Sequence, residues 1–222
     1  MNDAVTYQSG GPDDTGPIRV AFVGVGGHGV VMGARLIAET AVNMGIRVAM
    51  SEVHGMAQRG GVVETTMILR GADCGMIGEG RADILLATEP LEALRACHLA
   101  APGSAIVVWM ETNPPASDCL LRDTSTYPSR REIIAGLMEK NRRLWVLENN
   151  SESDDGHARV HANTALLGAA AKTGVLPFGF DDLSLTISQV LSDGMLESNL
   201  ASLRFGRQKA ICLSKDQKGG TQ

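Results

Sequence analysis

Apolar positions along the chain follow two alternating periods, and their order predicts the fold. IRVAFVGVG, Ile18 to Gly26, is a short apolar, β-branched run closed by glycines, as a strand buried on both faces requires. HGVVMGARLIAETAVNMG follows, with Val30, Val31, Ala34, Ile37, Ala38 and Ala41 at helical spacing and Gly45 as a stop. RVAMS, Arg47 to Ser51, returns to the strand pattern. Strand, helix and strand packed into roughly 35 residues predict a βαβ unit and hence an α/β layered domain. Further strands are predicted at Val62 to Arg70, Ile84 to Thr88, Ser104 to Met110 and in RLWVLE. A helix should start at Pro90, continue through LEALRACHLA and stop at Gly103, and another should run from Arg131 to about Lys140.

The last third reads as helical. RVHANTALLGAAAKTG carries small residues, Ala162, Ala165, Ala169 and Ala170 with Leu166, that would let another element approach closely. DLSLTISQVLSD predicts a further helix, and MLESNLASLRFGRQKAICLSK a long amphipathic one. The predicted fold is therefore α/β, a three-layer Rossmann-like domain with a mostly parallel or mixed sheet. It should span residues 18–214, between a flexible leader, 1–17, and a flexible tail, 215–222. The Pro-rich stretch ETNPPASDCLLRDTSTYPS reads as an excursion over the surface, and ENNSESDDGHA as a solvated acidic loop.

Composition narrows the function classes. The 222 residues are 44% hydrophobic and 20% charged with net charge −5, an ordinary soluble composition. Lys and Arg are scattered, with no basic run interleaved with aromatics, so no nucleic-acid partner is expected. No run of about 18 apolar residues predicts a membrane span. The leader MNDAVTYQSGGPDDTGP is polar and acidic, unlike a signal peptide, and the expected location is cytoplasmic. Cys74, Cys97, Cys119 and Cys212 lie far apart, so the chain is not expected to hold an iron–sulfur cluster or a zinc site.

Two stretches carry candidate chemistry. GVGGHG, Gly24 to Gly29, satisfies G-x-G-x-x-G between a strand and a helix, where backbone N–H groups and a helix N-terminus can meet an anion. Glu52, at the end of the predicted second strand, stands where a dinucleotide-binding fold puts its ribose ligand, so a small NAD(P)-dependent dehydrogenase is one reading. A tight turn without a ligand explains the glycines equally well. SEVHGMAQRGG, Ser51 to Gly61, packs Glu52, His54, Gln58 and Arg59 among glycines. Arg59 presents a planar fork to phosphate or carboxylate, or pairs with Glu52 or a partner chain. His54 reads as a structural histidine before it reads as a base. Met56 reads as packing, while Gly55, Gly60 and Gly61 supply backbone freedom or close approach.

Together these stretches, GVGGHG followed one helix and one strand later by SEVHGMAQRGG, resemble the gamma-type domain of the 2-oxoacid:ferredoxin oxidoreductases, nearest to the indolepyruvate branch. The resemblance extends through GEGRADILLATEPLEALR and PGSAIVVW, covering roughly residues 18–205. It implies a non-catalytic subunit that works with a large alpha subunit. That partner would hold thiamine diphosphate, magnesium and [4Fe–4S] clusters, decarboxylate a 2-oxoacid, reduce ferredoxin and pass the acyl group to coenzyme A. A stand-alone binding module of the same fold is the other implication. The resemblance makes Gly24, Gly26, Gly27, His28, Gly29, Glu52, His54, Gly55, Met56, Gln58, Arg59 and Gly60 the expected cofactor-binding or active-site-facing residues. No metal ligand is expected among them. His28 departs from the family pattern, which has glutamine there.

Outside these stretches, Glu89 follows a strand at the end where α/β sheets bind ligands, and equally suits a helix first turn. Asn163 is a weaker candidate. His157 and His161 are four apart, as a helical metal pair would be, but no third ligand accompanies them.

Overall fold

A computed structural model describes residues 16–54, 61–71, 73–112, 127–149 and 160–213. Among these residues seven strands form one mixed sheet in the order β2-β3-β1-β4-β5-β6-β7. They are β1 (Ile18–Val25), β2 (Val48–His54), β3 (Val62–Leu69), β4 (Ala82–Ala87), β5 (Ala100–Trp109), β6 (Arg143–Leu147) and β7 (Ile211–Leu213). Helices α1 (Val30–Asn43), α4 (Ala162–Thr173), α5 (Phe180–Val190) and α6 (Asp193–Lys209) cover one face. Helices α2 (Pro90–Ala96) and α3 (Arg130–Leu137) cover the other.

The strand pattern explains the three layers. Val20 and Phe22 of β1 and Ile84 and Leu86 of β4 join the core beneath α1 and α4. Their alternate neighbours Ala21, Val23, Leu85 and Ala87 join the core beneath α2 and α3. Strands buried on both faces need no polar alternation, and β1, β4, β5 and β6 show none in their centres. Burying a side chain such as Phe22, fully inaccessible here, is worth about 1.5–3 kcal/mol.

Three predicted details change. β1, α1 and β2 are not an adjacent βαβ unit, because β3 inserts between the two strands and pairs antiparallel with both. Gly103 does not stop α2, which ends at Ala96; it lies within β5 with φ 74°. The long C-terminal helix ends at Lys209, and Ile211–Leu213 turns back to pair antiparallel with β6 at the sheet edge. A three-residue edge strand is too short for periodicity to register. The small-residue face of α4 does admit a close neighbour. A Cβ at Gly168 would overlap the Leu203 carbonyl of α6, and one at Gly206 would overlap the Ala165 carbonyl.

Candidate functional site

β1, β4, β5 and β6 run parallel, so their carboxyl ends line up along one edge of the sheet. A cleft of about 1120 Å³ opens there, the place where open α/β sheets bind ligands. The turn after β1 contributes Gly27, His28 and Gly29, and the ends of the other strands contribute Thr88, Glu111 and Glu148. The start of α4 and one side of α6 form the opposite wall, which includes His161, Asn163 and Lys209. Trp109 at the end of β5 and Phe205 of α6, with ring centroids 6.1 Å apart, give the cleft an apolar, aromatic patch between sheet and wall.

Local sequence explains the geometry of the glycine turn. Gly24 lies against Thr88, whose hydroxyl a Cβ would overlap. Gly29 is the N-cap of α1 with φ 74°, and a Cβ there would stand 2.5 Å from Asn163 Nδ2. That approach lets Asn163 Nδ2 donate to the Gly29 carbonyl at 3.1 Å. The starts of α1 and α4 are thereby tied side by side. Neither helix has a side-chain cap or an acid in its first turn. Their leading N–H groups and dipoles place partial positive charge at this edge, beside the Glu111 and Glu148 side chains that also line the cleft.

His28 stands in the turn, its main-chain N–H donating to the Val25 carbonyl at 3.0 Å. Its ring donates to the Thr88 carbonyl and lies near the Glu89 carboxylate. Burial lowers its pKa, and the carboxylate and carbonyl offset part of that effect. Glu89 is fully buried. It caps α2 by accepting from the Glu92 N–H at 2.9 Å, and it accepts from the Tyr127 hydroxyl at 2.5 Å. Burial, and then the Glu89 carboxylate, push the Tyr127 phenol above its ordinary value. At the opposite wall, the His161 N–H donates to Ser202 Oγ at 2.9 Å, and its Nε2 lies 3.1 Å from Ser198 Oγ.

The expected site residues divide into groups. Gly24, Gly26, Gly27, His28 and Gly29 lie in or beside the cleft-edge turn. Gly26 N–H donates to the Gly61 carbonyl at 2.8 Å, and His54 lies opposite Val63 in register with Gly24. The two quoted stretches thus meet at one end of the sheet. Gly55, Met56, Gln58, Arg59 and Gly60 lie outside the described residues.

Glu52 does not stand beside the turn. It is an exposed residue within β2 opposite Thr65, with the whole of β3 between it and β1. Two strand spacings, about 10 Å in all, separate β2 from the turn-bearing strand, which removes the ribose-ligand placement that sequence suggested. His161 is the N-cap of α4 and stands before its first helical residue; His157, the other member of the expected pair, lies outside the described residues. Glu89 follows β4 and is the N-cap of α2, one position before the first turn in which sequence places it. Trp109, Phe205 and Lys209 escaped the sequence reading because only topology brings them to the cleft, and Tyr127 because only topology brings it to Glu89. No local pattern marks them.

The sequence matches the family described as Pyruvate ferredoxin/flavodoxin oxidoreductase over residues 19–209. It is 36% identical over 191 residues to an indolepyruvate oxidoreductase subunit IorB of Methanothermobacter thermautotrophicus, covering 85% of this chain and 95% of that one. The fold is similar to pyruvate oxidoreductase subunit PORC of Thermotoga maritima, with TM-score 0.65 at 15% identity, covering 89% of this chain and 99% of that one. It is also similar to the gamma subunit of a keto/oxoacid ferredoxin oxidoreductase from Geobacter sulfurreducens, with TM-score 0.59 at 20% identity and coverages of 88% and 97%. Among the described residues, no helix is long and apolar enough to cross a membrane.

Proposed function

The chain belongs to the pyruvate ferredoxin/flavodoxin oxidoreductase family, and we propose that within it the chain is the accessory subunit of a thiamine diphosphate-dependent indolepyruvate:ferredoxin oxidoreductase. That it is a subunit of a 2-oxoacid:ferredoxin oxidoreductase follows from the family and its relatives. The finer reading concerns substrate and division of labour. One observation carries it: the alignment spans 95% of a relative named as an indolepyruvate oxidoreductase subunit, so one whole subunit corresponds to another.

In this reading a large alpha subunit binds thiamine diphosphate, magnesium and [4Fe–4S] clusters. The thiamine cofactor supplies the electron sink for loss of carbon dioxide from the 2-oxoacid, and the clusters carry the electrons to ferredoxin. The acyl group leaves as its coenzyme A thioester, and the reaction takes place in the cytoplasm. This chain's own residues bind and orient. The α1 and α4 starts attract an anionic group, either a phosphate of coenzyme A or the carboxylate of the 2-oxoacid. Trp109 and Phe205 offer an apolar surface to the uncharged part. The segment bearing Gln58 and Arg59 completes a site built largely by the partner chain.

Coexpression with an alpha-type large subunit tests the assignment. The expected result is a stable, iron-containing complex that reduces ferredoxin with indolepyruvate faster than with pyruvate or 2-oxoglutarate, and an isolated chain without iron or activity. Iron and turnover in the isolated chain would remove the accessory role. A preference for pyruvate or 2-oxoglutarate would remove the substrate assignment.

A further inference from the structure

At the end of the sheet opposite the cleft, the chain buries a positive charge that its described residues do not neutralise. Arg142 leads into β6 and is only 5% exposed. Its Nη2 donates to the Ala100 carbonyl at a long 3.3 Å, and its buried Nε has no partner. Among the described residues no ion pair includes it. A guanidinium stays charged throughout the pH range in which proteins fold, and a buried charge without a counter-charge is strongly destabilising.

Ser104 is the neighbour of Arg142. β5 and β6 run parallel with Ala105 opposite Arg143, so one step back Ser104 stands beside Arg142 at the ordinary strand spacing of about 4.8 Å. Each precedes by two residues a member of the core beneath α2 and α3, Ile106 and Leu144, and strand alternation puts both side chains on that face. The Ser104 hydroxyl is also buried and without a partner. Two adjacent donors, one of them charged, are thus enclosed without an acceptor, which native interiors rarely allow. The backbone departs from regular pairing at the same point. The step from Ala82 to Ile84 in β4 is matched by the longer step from Ala100 to Ala105 in β5. Residues 101–103 bulge outward, with Pro102 and Gly103 exposed and Gly103 at φ 74°, and such bulges interrupt the ladder where a side chain must be re-aimed. The exposed charges at these strand ends are Arg81, Lys140 and Arg143 against Glu139, while Asp83 is paired with Arg19.

We infer that Arg142 and Ser104 form a structural binding site for one small monovalent anion of chloride size, which accepts from Arg142 Nε–H and Ser104 Oγ–H and neutralises the buried guanidinium. A halide ion carries no substituent and needs no set orientation, which suits a niche closed on nearly every side. A water molecule joins the same two groups but leaves the charge uncompensated. The bound anion ties the amino ends of β5 and β6 together and makes the chain's stability depend on halide concentration. The site is independent of the cleft and of the reaction proposed for it.

Thermal unfolding of the full chain tests this, with sodium chloride replacing sodium gluconate at constant ionic strength so that screening stays fixed. Gluconate is too bulky for the niche. Chloride at about ten times its Kd should raise Tm by about 3–6 °C. Arg142→Met, which removes the charge and keeps an apolar stem, and Ser104→Ala should each lose most of that rise. Bromide should stabilise the wild type as chloride does, and wild-type crystals grown in bromide should show anomalous scattering in contact with Arg142 Nε and Ser104 Oγ. The bromide position decides the matter even where Arg142→Met fails to fold. A Tm indifferent to both halides, an equal rise in wild type and both variants, or water in place of bromide beside Arg142 overturns the inference.

Discussion

Along a single edge of the sheet, helices begin in two different ways. On one face α2 is capped by Glu89 with Glu92 in its first turn, and α3 carries a full capping box between Ser129 and Glu132. On the other face α1 begins at Gly29 and α4 at His161, both without a side-chain cap or a first-turn acid. An N-cap is worth about 0.5–2 kcal/mol, so α1 and α4 forgo stabilisation that α2 and α3 take. Their leading N–H groups at the cleft edge carry no side-chain cap. The difference separates starts that serve the fold from starts that serve the cleft, and it is open to direct attack.

The largest effect should come from what holds α4 in place. Gly206→Leu drives a side chain into the Ala165 carbonyl, which as helix backbone has little room to yield. A loss of about 3 kcal/mol in urea denaturation is expected. Gly194→Leu in the same helix meets open space and should change stability far less. Comparable losses in the two variants would show that the α4 and α6 contact does not set the wall.

Glu89→Ala comes next, because it removes the α2 cap and leaves the Tyr127 hydroxyl and the Glu92 N–H without an acceptor. A cost of about 2–3 kcal/mol is expected, measured by the same denaturation. Asn163→Ala cuts the bond to the Gly29 carbonyl, and should cost about 1 kcal/mol. Unlike Glu89→Ala, it should weaken ligand binding by more than its stability cost suggests, since it releases the two cleft-facing starts from each other. Binding unchanged in Asn163→Ala would mean that their alignment is immaterial.

Much of this contrast was legible in the sequence, and the remainder was not for a physical reason. The apolar run of Ile18 to Gly26, the helical spacing from Val30 and the strand at Val62 are local signals, and each element formed where predicted. The Ser129 and Glu132 spacing is a local signal too, although the sequence reading starts that helix at Arg131, without the cap. The position of β3 between β1 and β2 depends on pairing between distant segments, and the β-branched run of β3 reads the same at either edge or in the middle. Glu52 accordingly looked closer to the glycine turn than it is. His28 and Asn163 were visible as candidates, but their partners Thr88, Glu89 and Gly29 are set by tertiary approach. Tyr127 emerges from a Pro-rich stretch whose composition gives no hint of a bond to a buried carboxylate.

The smallest expected change in stability is also the sharpest test, because stability and binding should move in opposite directions. Ala162→Asp places a carboxylate on the first residue of α4, supplying what α2 and α3 already have. The helix dipole should reward it with about 0.3–1 kcal/mol. The same charge occupies the field meant for the ligand, and an anion should bind at least about tenfold more weakly, equivalent to ~1.4 kcal/mol. pH separates the two faces further. Ser129, through its hydroxyl and then its N–H, holds the Glu132 carboxyl below its ordinary value. Its contribution is therefore present above the unfolded-state value and fades as pH falls through the lower folded-state value. Wild-type α4 has no such carboxylate to lose, whereas Ala162→Asp should acquire the same acid sensitivity. Ala162→Asp that destabilises the chain, or leaves anion affinity intact, would show that the uncapped start of α4 is an ordinary helix end.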